Sequence, residues 1–182
     1  MSFWESRTAA WLLTVCMILF AVYTGAGASL GKLRAQAEDV FTRGEYNDGK
    51  GIAYDLAQIA EECDNLLTVA ARYVTETDPL SAELRACQKA LKSAQGPAQM
   101  REANLNLTRA EQALYDLLGT LPLSERDKNY RNSIHVNINS HNRIIALSPY
   151  NAQAQAFNQT LTKQPARILG AFTGVKELEL YR

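Results

Sequence analysis

"IAYDLAQIAEECDNLLTVAARY", residues 52–73, decides the fold. Its apolar residues Ile52, Leu56, Ile59, Cys63, Leu66, Ala70 and Tyr73 follow one another in steps of 4, 3, 4, 3, 4 and 3. A strand would alternate every second residue, whereas a helix of about 3.6 residues per turn brings these positions back to one face. The regular alternation is the heptad seam of a helix packed along its length on another helix. Just before it, "GEYNDGKG", residues 44–51, places three glycines where a turn separates this helix from whatever precedes it.

The same spacing recurs downstream. Leu84, Cys87, Leu91 and Ala94 form a second seam, which breaks at Gly96-Pro97 and resumes as Met100, Ala103, Leu107, Ala110, Leu114, Leu117 and Leu121. Proline lacks the backbone donor and its ring crowds the preceding turn, so a kink or short loop is expected there. Asp78-Pro79 opens this element and Leu121-Pro122 closes it. A last long helix starts near Ser124, where Ser124 with Asp127 forms a capping signal. Its seam is Tyr130, Ile134, Ile138, His141 and Ile145, and after Pro149 it resumes as Tyr150, Ala154, Phe157 and Leu161. Similar polar filling on both sides predicts a bend at Pro149 rather than a stop. No strand pattern of useful length occurs. The predicted fold class is all-α: an N-terminal transmembrane helix followed by a long antiparallel bundle of three helices.

The transmembrane assignment rests on "TAAWLLTVCMILFAVYTGAGASLG", residues 8–31, which carries no charge between Arg7 and Lys32. At about 1.5 Å per residue this run crosses a hydrocarbon core of roughly 30 Å, and Trp4, Trp11 and Tyr23 are residue types that gather at membrane interfaces. A cleaved signal peptide is the rival, since "AGAS" at 26–29 supplies small residues after the apolar run. The first seven residues, with one acid and one base, do not form a basic leader. Lys32, Arg34 and Arg43 after the span, against Arg7 before it, tilt the body toward the cytoplasm. The organisation read from the sequence is a flank (1–7), a membrane helix in contact with lipid (8–31), a bundle (32–164) and an apolar C-terminal tail (165–182).

Lys and Arg number 19, as do Asp and Glu, for a net charge of zero. With Glu5 and Arg7 the only charges ahead of residue 8, the body is neutral as well, which argues against a nucleic-acid partner. Cys16, Cys63 and Cys87 do not make a disulfide framework; Cys63 and Cys87 fall on seams and read as small buried hydrophobes, a bridge between them staying open if the body is extracytoplasmic.

"HNRIIALSPYNAQAQAFNQTLTKQPARILGAFTGVKELELY", residues 141–181, resembles the C-terminal signature of the LemA family. That signature closes the last long helix with Tyr-Asn and a second aromatic-Asn seven residues on, here Tyr150-Asn151 and Phe157-Asn158. A proline and a Gly-aromatic tail follow, matched by Pro165 and "GAFTGVKE" at 170–177. "DLAQIAEECDNLLTVAARYV", residues 55–74, sits where the family places its first antiparallel helix. His141 replaces the acidic residue that usually opens the signature, and Ser148-Pro149 replaces a basic one, so the resemblance is to a divergent member. It implies a bacterial envelope protein with a long helical body and no established catalytic site.

The residues themselves carry no catalytic constellation. His135 and His141, six apart on one helix, lie on different faces and cannot share a metal. Glu61, Glu62 and Asp64 read as a solvated face. "GEYNDGKG" lacks the Ser or Thr that follows the lysine of a phosphate loop, and no Gly-x-Ser-x-Gly occurs. No cofactor or metal site is expected. The reading is therefore a membrane-anchored scaffold or adaptor that acts on a protein partner and is not an enzyme, with homo-oligomerisation left open. The alternative is a sensor or ligand-binding bundle with its ligand near the Asn-rich stretch 129–142.

Candidate seam or partner-binding residues are Tyr150, Asn151, Phe157, Asn158, Phe172, Val175 and Leu178. Tyr150 and Phe157 are expected to plug the seam while Asn151 and Asn158 hydrogen-bond across it or cap polar groups; a polar groove for a partner peptide is the other reading. In the tail, Ile168, Leu169 and Phe172 are expected to dock, leaving Val175 to Arg182 free.

Overall fold

The computed structural model describes residues 7–75 and 77–182. Residues 1–6 of the flank, Trp4 among them, lie outside the described residues. Seven helices and no strand occur among those described: α1 (Arg7–Arg43), α2 (Ile52–Ala70), α3 (Pro79–Ser93), α4 (Pro97–Gly119), α5 (Glu125–Leu147), α6 (Tyr150–Thr162) and α7 (Ala166–Thr173). The chain divides into two compact units, Met1–Glu38 with Ala152–Leu178, and Asp39–Asn151 with Glu179–Arg182.

The unit around residues 39–151 is built on α2, α3, α4 and α5. The α2·α5 and α3·α4 pairs make its most extensive contacts. Helix α2 keeps the predicted seam: Ile52, Leu56, Ile59, Cys63, Leu66 and Ala70 are all buried. At its entry, Gly51 lies so close to α1 that a Cβ there would collide with the Phe41 carbonyl, backbone that cannot yield. The polar contacts fix the direction of α5 along α2. His141 meets Asp55, Asn137 meets Glu62 and Arg72 meets Asp127, so the two helices run antiparallel.

The three-helix count is corrected here. The second predicted element is two helices, because the chain reverses between Ser93 and Pro97. Gly96 has a φ of 81°, a left-handed conformation that side chains resist, and Pro97 begins α4 where its missing donor costs nothing. On either side of the reversal the predicted seam residues Leu84, Leu91, Ala103, Leu107, Ala110 and Leu114 are buried, while Cys87, Ala94 and Met100 are half-buried. Past Leu114 the buried position is Leu118, and the predicted Leu117 and Leu121 are half-buried. At Pro149 the helix stops rather than bends: Ser148 ends α5 with extended backbone, and α6 starts afresh at Tyr150. A residue before proline is disfavoured from helical geometry, which ends the run.

Tyr130, predicted for the seam, is 50% exposed. The first turn of α5 presents Asp127 inward instead, because a knot of partners claims its carboxylate. The Tyr73 hydroxyl donates to Asp127 Oδ2 (2.6 Å), the Ser124 hydroxyl donates to the same oxygen (2.9 Å), and Arg72 pairs with Oδ1. The Asp127 N–H donates back to Ser124 Oγ at 3.1 Å, which is the predicted cap.

In the other unit α1 dominates. It is long and apolar enough to cross a membrane, with a mean hydropathy of 1.9 over its most apolar window. Trp11, Met17, Leu19 and Phe20 project outward uncovered. Along α6, Ala154, Phe157 and Leu161 are buried as predicted.

Candidate functional site

Asn151 and Asn158, adjacent to the buried aromatic face of α6, make no side-chain hydrogen bond to another helix among the described residues. Each holds the main chain of a single residue in the C-terminal segment. In the α2–α5 unit, Asn151 Nδ2 donates to the Tyr181 carbonyl and the Tyr181 N–H donates to Asn151 Oδ1, both at 2.8 Å. In the α1 unit, Asn158 makes the same pair of bonds with Leu178, again 2.8 Å each. A primary amide has one acceptor and one donor side by side, the complement of a peptide N–H and C=O. Of the two roles expected for Asn151 and Asn158, the side chains take the capping of polar groups, and the groups they cap are backbone in the tail.

The aromatic partners act with them. Tyr150 is buried, its ring meets Phe41 edge-on at 5.0 Å, and its hydroxyl donates to the Glu179 carbonyl at 2.6 Å. Tyr181 is seated near Phe41 (6.1 Å between ring centres) and under the Arg101 guanidinium (5.8 Å), while Asn104 donates to its hydroxyl at 3.3 Å. Burial pushes the Tyr181 phenol above its ordinary range, so it stays protonated. Tyr181 and Glu179 were missed because a backbone partner leaves no mark in sequence pattern.

The predicted division of the tail is reversed. Phe172 is 72% exposed and Ile168 50%, with Leu169 half-buried, whereas Leu178 and Tyr181 are buried. Val175 is half-buried and its N–H donates to the Gly170 carbonyl (3.2 Å) as the chain leaves α7 through Gly174.

The histidines take separate carboxylates. His135 Nδ1 lies 3.0 Å from Glu111 Oε1, joining α5 to α4, and His141 Nδ1 lies 2.8 Å from Asp55 Oδ1, joining α5 to α2. Both acids are buried, and both sit one position from a predicted seam residue, Ala110 or Leu56. That adjacency was the available signal. Burial raises the Glu111 carboxyl above the ordinary carboxylate range, opposed by its hydrogen bond to His135. Among the described residues no three His, Cys, Asp or Glu side chains group to hold a metal. Cys63 and Cys87 are unbridged, and burial pushes the Cys63 thiol far up, away from reactivity.

A groove of about 430 Å³ opens between α4 and α5 beside Tyr181, with Arg101, Thr108, Asn139 and Asn142 on its walls. No family model, curated protein or solved structure matches the chain.

Proposed function

We propose that this chain is a divergent LemA-like protein of the bacterial cell envelope, a membrane-anchored helical scaffold or adaptor that works through protein contacts without catalysis. The observation that carries the reading is α1, whose apolar side chains face outward along a membrane-spanning length and which continues as one helix to Arg43. Lipid is the solvent such a surface requires. The contact side of the reading is supported by α5, where Val136, Ile144 and Leu147 stand exposed on one outer face. The paired Asn clamps are the element the resemblance turns on.

The test has two parts. The chain should stay with membranes through alkaline carbonate extraction and keep its N-terminal residues. Photo-crosslinkers at Val136 and Leu147 in native membranes should capture one discrete protein, whereas a crosslinker at Glu61 on α2 should not. A mature chain starting near Ser29, or identical capture from all three positions, overturns the reading.

A ligand-binding bundle is the second reading, favoured by the α4–α5 groove, which falls within the Asn-rich stretch at Asn139 and Asn142. A ligand there would raise the melting temperature by mass action.

A further inference from the structure

Helix α7 is apolar on its outside. At about 100° per residue, Ile168 and Phe172 fall within about 40° of each other, with Ala171 on their flank. All three are exposed, while Gly170 on the opposite side is buried. Water is a poor solvent for such a face.

The neighbour of α7 identifies the better one. The Tyr23 hydroxyl of α1 donates to the Phe172 carbonyl at 3.3 Å, and a Cβ on Gly27 would stand 2.9 Å from Thr173 Cγ2. Tyr23 and Gly27 belong to the uncharged run 8–31, nine and five residues ahead of its first following charge, Lys32. Helix α7 is therefore held alongside the C-terminal half of that uncharged run. Lys163, Arg167 and Lys176 are exposed around it and make no ion pair among the described residues. An apolar face flanked by free cations is the composition of a helix lying in a membrane interface, its cations among anionic head groups.

We propose that α7 is a second membrane contact, an interfacial helix that inserts Ile168 and Phe172 at the head-group boundary beside α1. The proposal rests on the reading of α1 as an anchor. Continuity with that lipid-facing surface is what selects lipid over a protein partner as the occupant.

Cys16, exposed in α1, reports on the anchor, and Phe172→Cys reports on α7. The full chain carries Cys87→Ser throughout, with Cys16→Ala added for the second label; buried Cys63 is left in place. Each form is labelled with a nitrobenzoxadiazole dye and reconstituted in vesicles containing one-fifth phosphatidylglycerol. Expected is quenching of the dye at position 172 by a lipid with its nitroxide near the head group, with at least a threefold loss of iodide quenching relative to free dye. Iodide-accessible dye at position 172 with a lipid-quenched dye at Cys16 overturns the interfacial helix and leaves the anchor standing. Absence of lipid quenching at both sites overturns both. Protection of position 172 from iodide and lipid alike means that protein covers the face, and it too overturns the proposal.

Discussion

The α2–α5 unit and the α1 unit treat the same residue types in opposite ways. In the first, leucine and isoleucine go inward and six polar side chains, Asp55, Ser81, Gln88, Asn104, Glu111 and Asp127, are buried with them. Asp55, Glu111 and Asp127 find histidine, tyrosine, serine or arginine partners, and Gln88 donates to the Ala60 carbonyl and Asp64. In the second, leucine, phenylalanine and tryptophan point outward along α1. In the bundle unit the apolar seam is closed and buried charge is matched, as water demands, whereas α1 keeps a long apolar surface outward, which fits the lipid proposed for it.

The largest expected effect separates the units directly. Ile59→Asp or Leu107→Asp places a charge at a fully buried position and should unfold the bundle unit, a loss of several kcal/mol seen as disappearance of its cooperative melt. Leu19→Asp, on the outward face of α1, should leave that melt in place in detergent yet weaken membrane retention, by roughly 2.5–3.5 kcal/mol at a span's centre. If Leu19→Asp also destroys the melt, the comparison breaks.

A smaller effect is expected at the clamp. Asn151→Ala leaves the Tyr181 main chain without its partner and should cost about 1–3 kcal/mol in thermal or urea unfolding. An unchanged midpoint would mean that the C-terminal residues contribute nothing to the bundle unit.

The buried acids predict pH behaviour of opposite sign. Hydrogen bonds from Tyr73 and then Ser124, with the nearby Arg72 charge, hold the Asp127 carboxyl below its ordinary range. Its contribution is complete above about pH 4 and is lost as pH falls through its lowered folded value. Asp127→Asn should therefore flatten the acid limb of a stability profile. Glu111, raised by burial, favours the folded state while protonated and loses that benefit as pH rises through its raised value. Glu111→Gln should remove that decline. Slopes of the same sign in both variants would contradict these environments. The smallest effect belongs to exposed Glu61 on α2, where Glu61→Ala should move the midpoint by less than about 0.5 kcal/mol.

The helices of the bundle were legible because heptad spacing is a direct imprint of packing: Ile59, Cys63, Leu66, Leu107 and Leu114 are all fully buried. The reversal at Gly96-Pro97 was not, since a proline inside a continuing seam reads the same whether the chain kinks or doubles back. The tail was misread for a related reason. Hydrophobicity marks both Phe172 and Leu178, and only their surroundings decide which is covered: Asn158 holds the Leu178 main chain, while Phe172 stays exposed beside α1. Tyr150 and Phe157 could be placed on a buried face from spacing alone. What Asn151 and Asn158 hold could not, because a main-chain N–H and C=O belong to every residue and advertise none.

The clamps also set a time pattern on the C-terminal amides. Leu178 and Tyr181 donate their N–H groups to Asn158 and Asn151, whereas no hydrogen bond from the N–H of Glu179 or Leu180 occurs among the described residues. Deuterium exchange should thus be slow at 178 and 181 and fast at the two residues between them, a stepwise protection in a segment that belongs to no helix or strand.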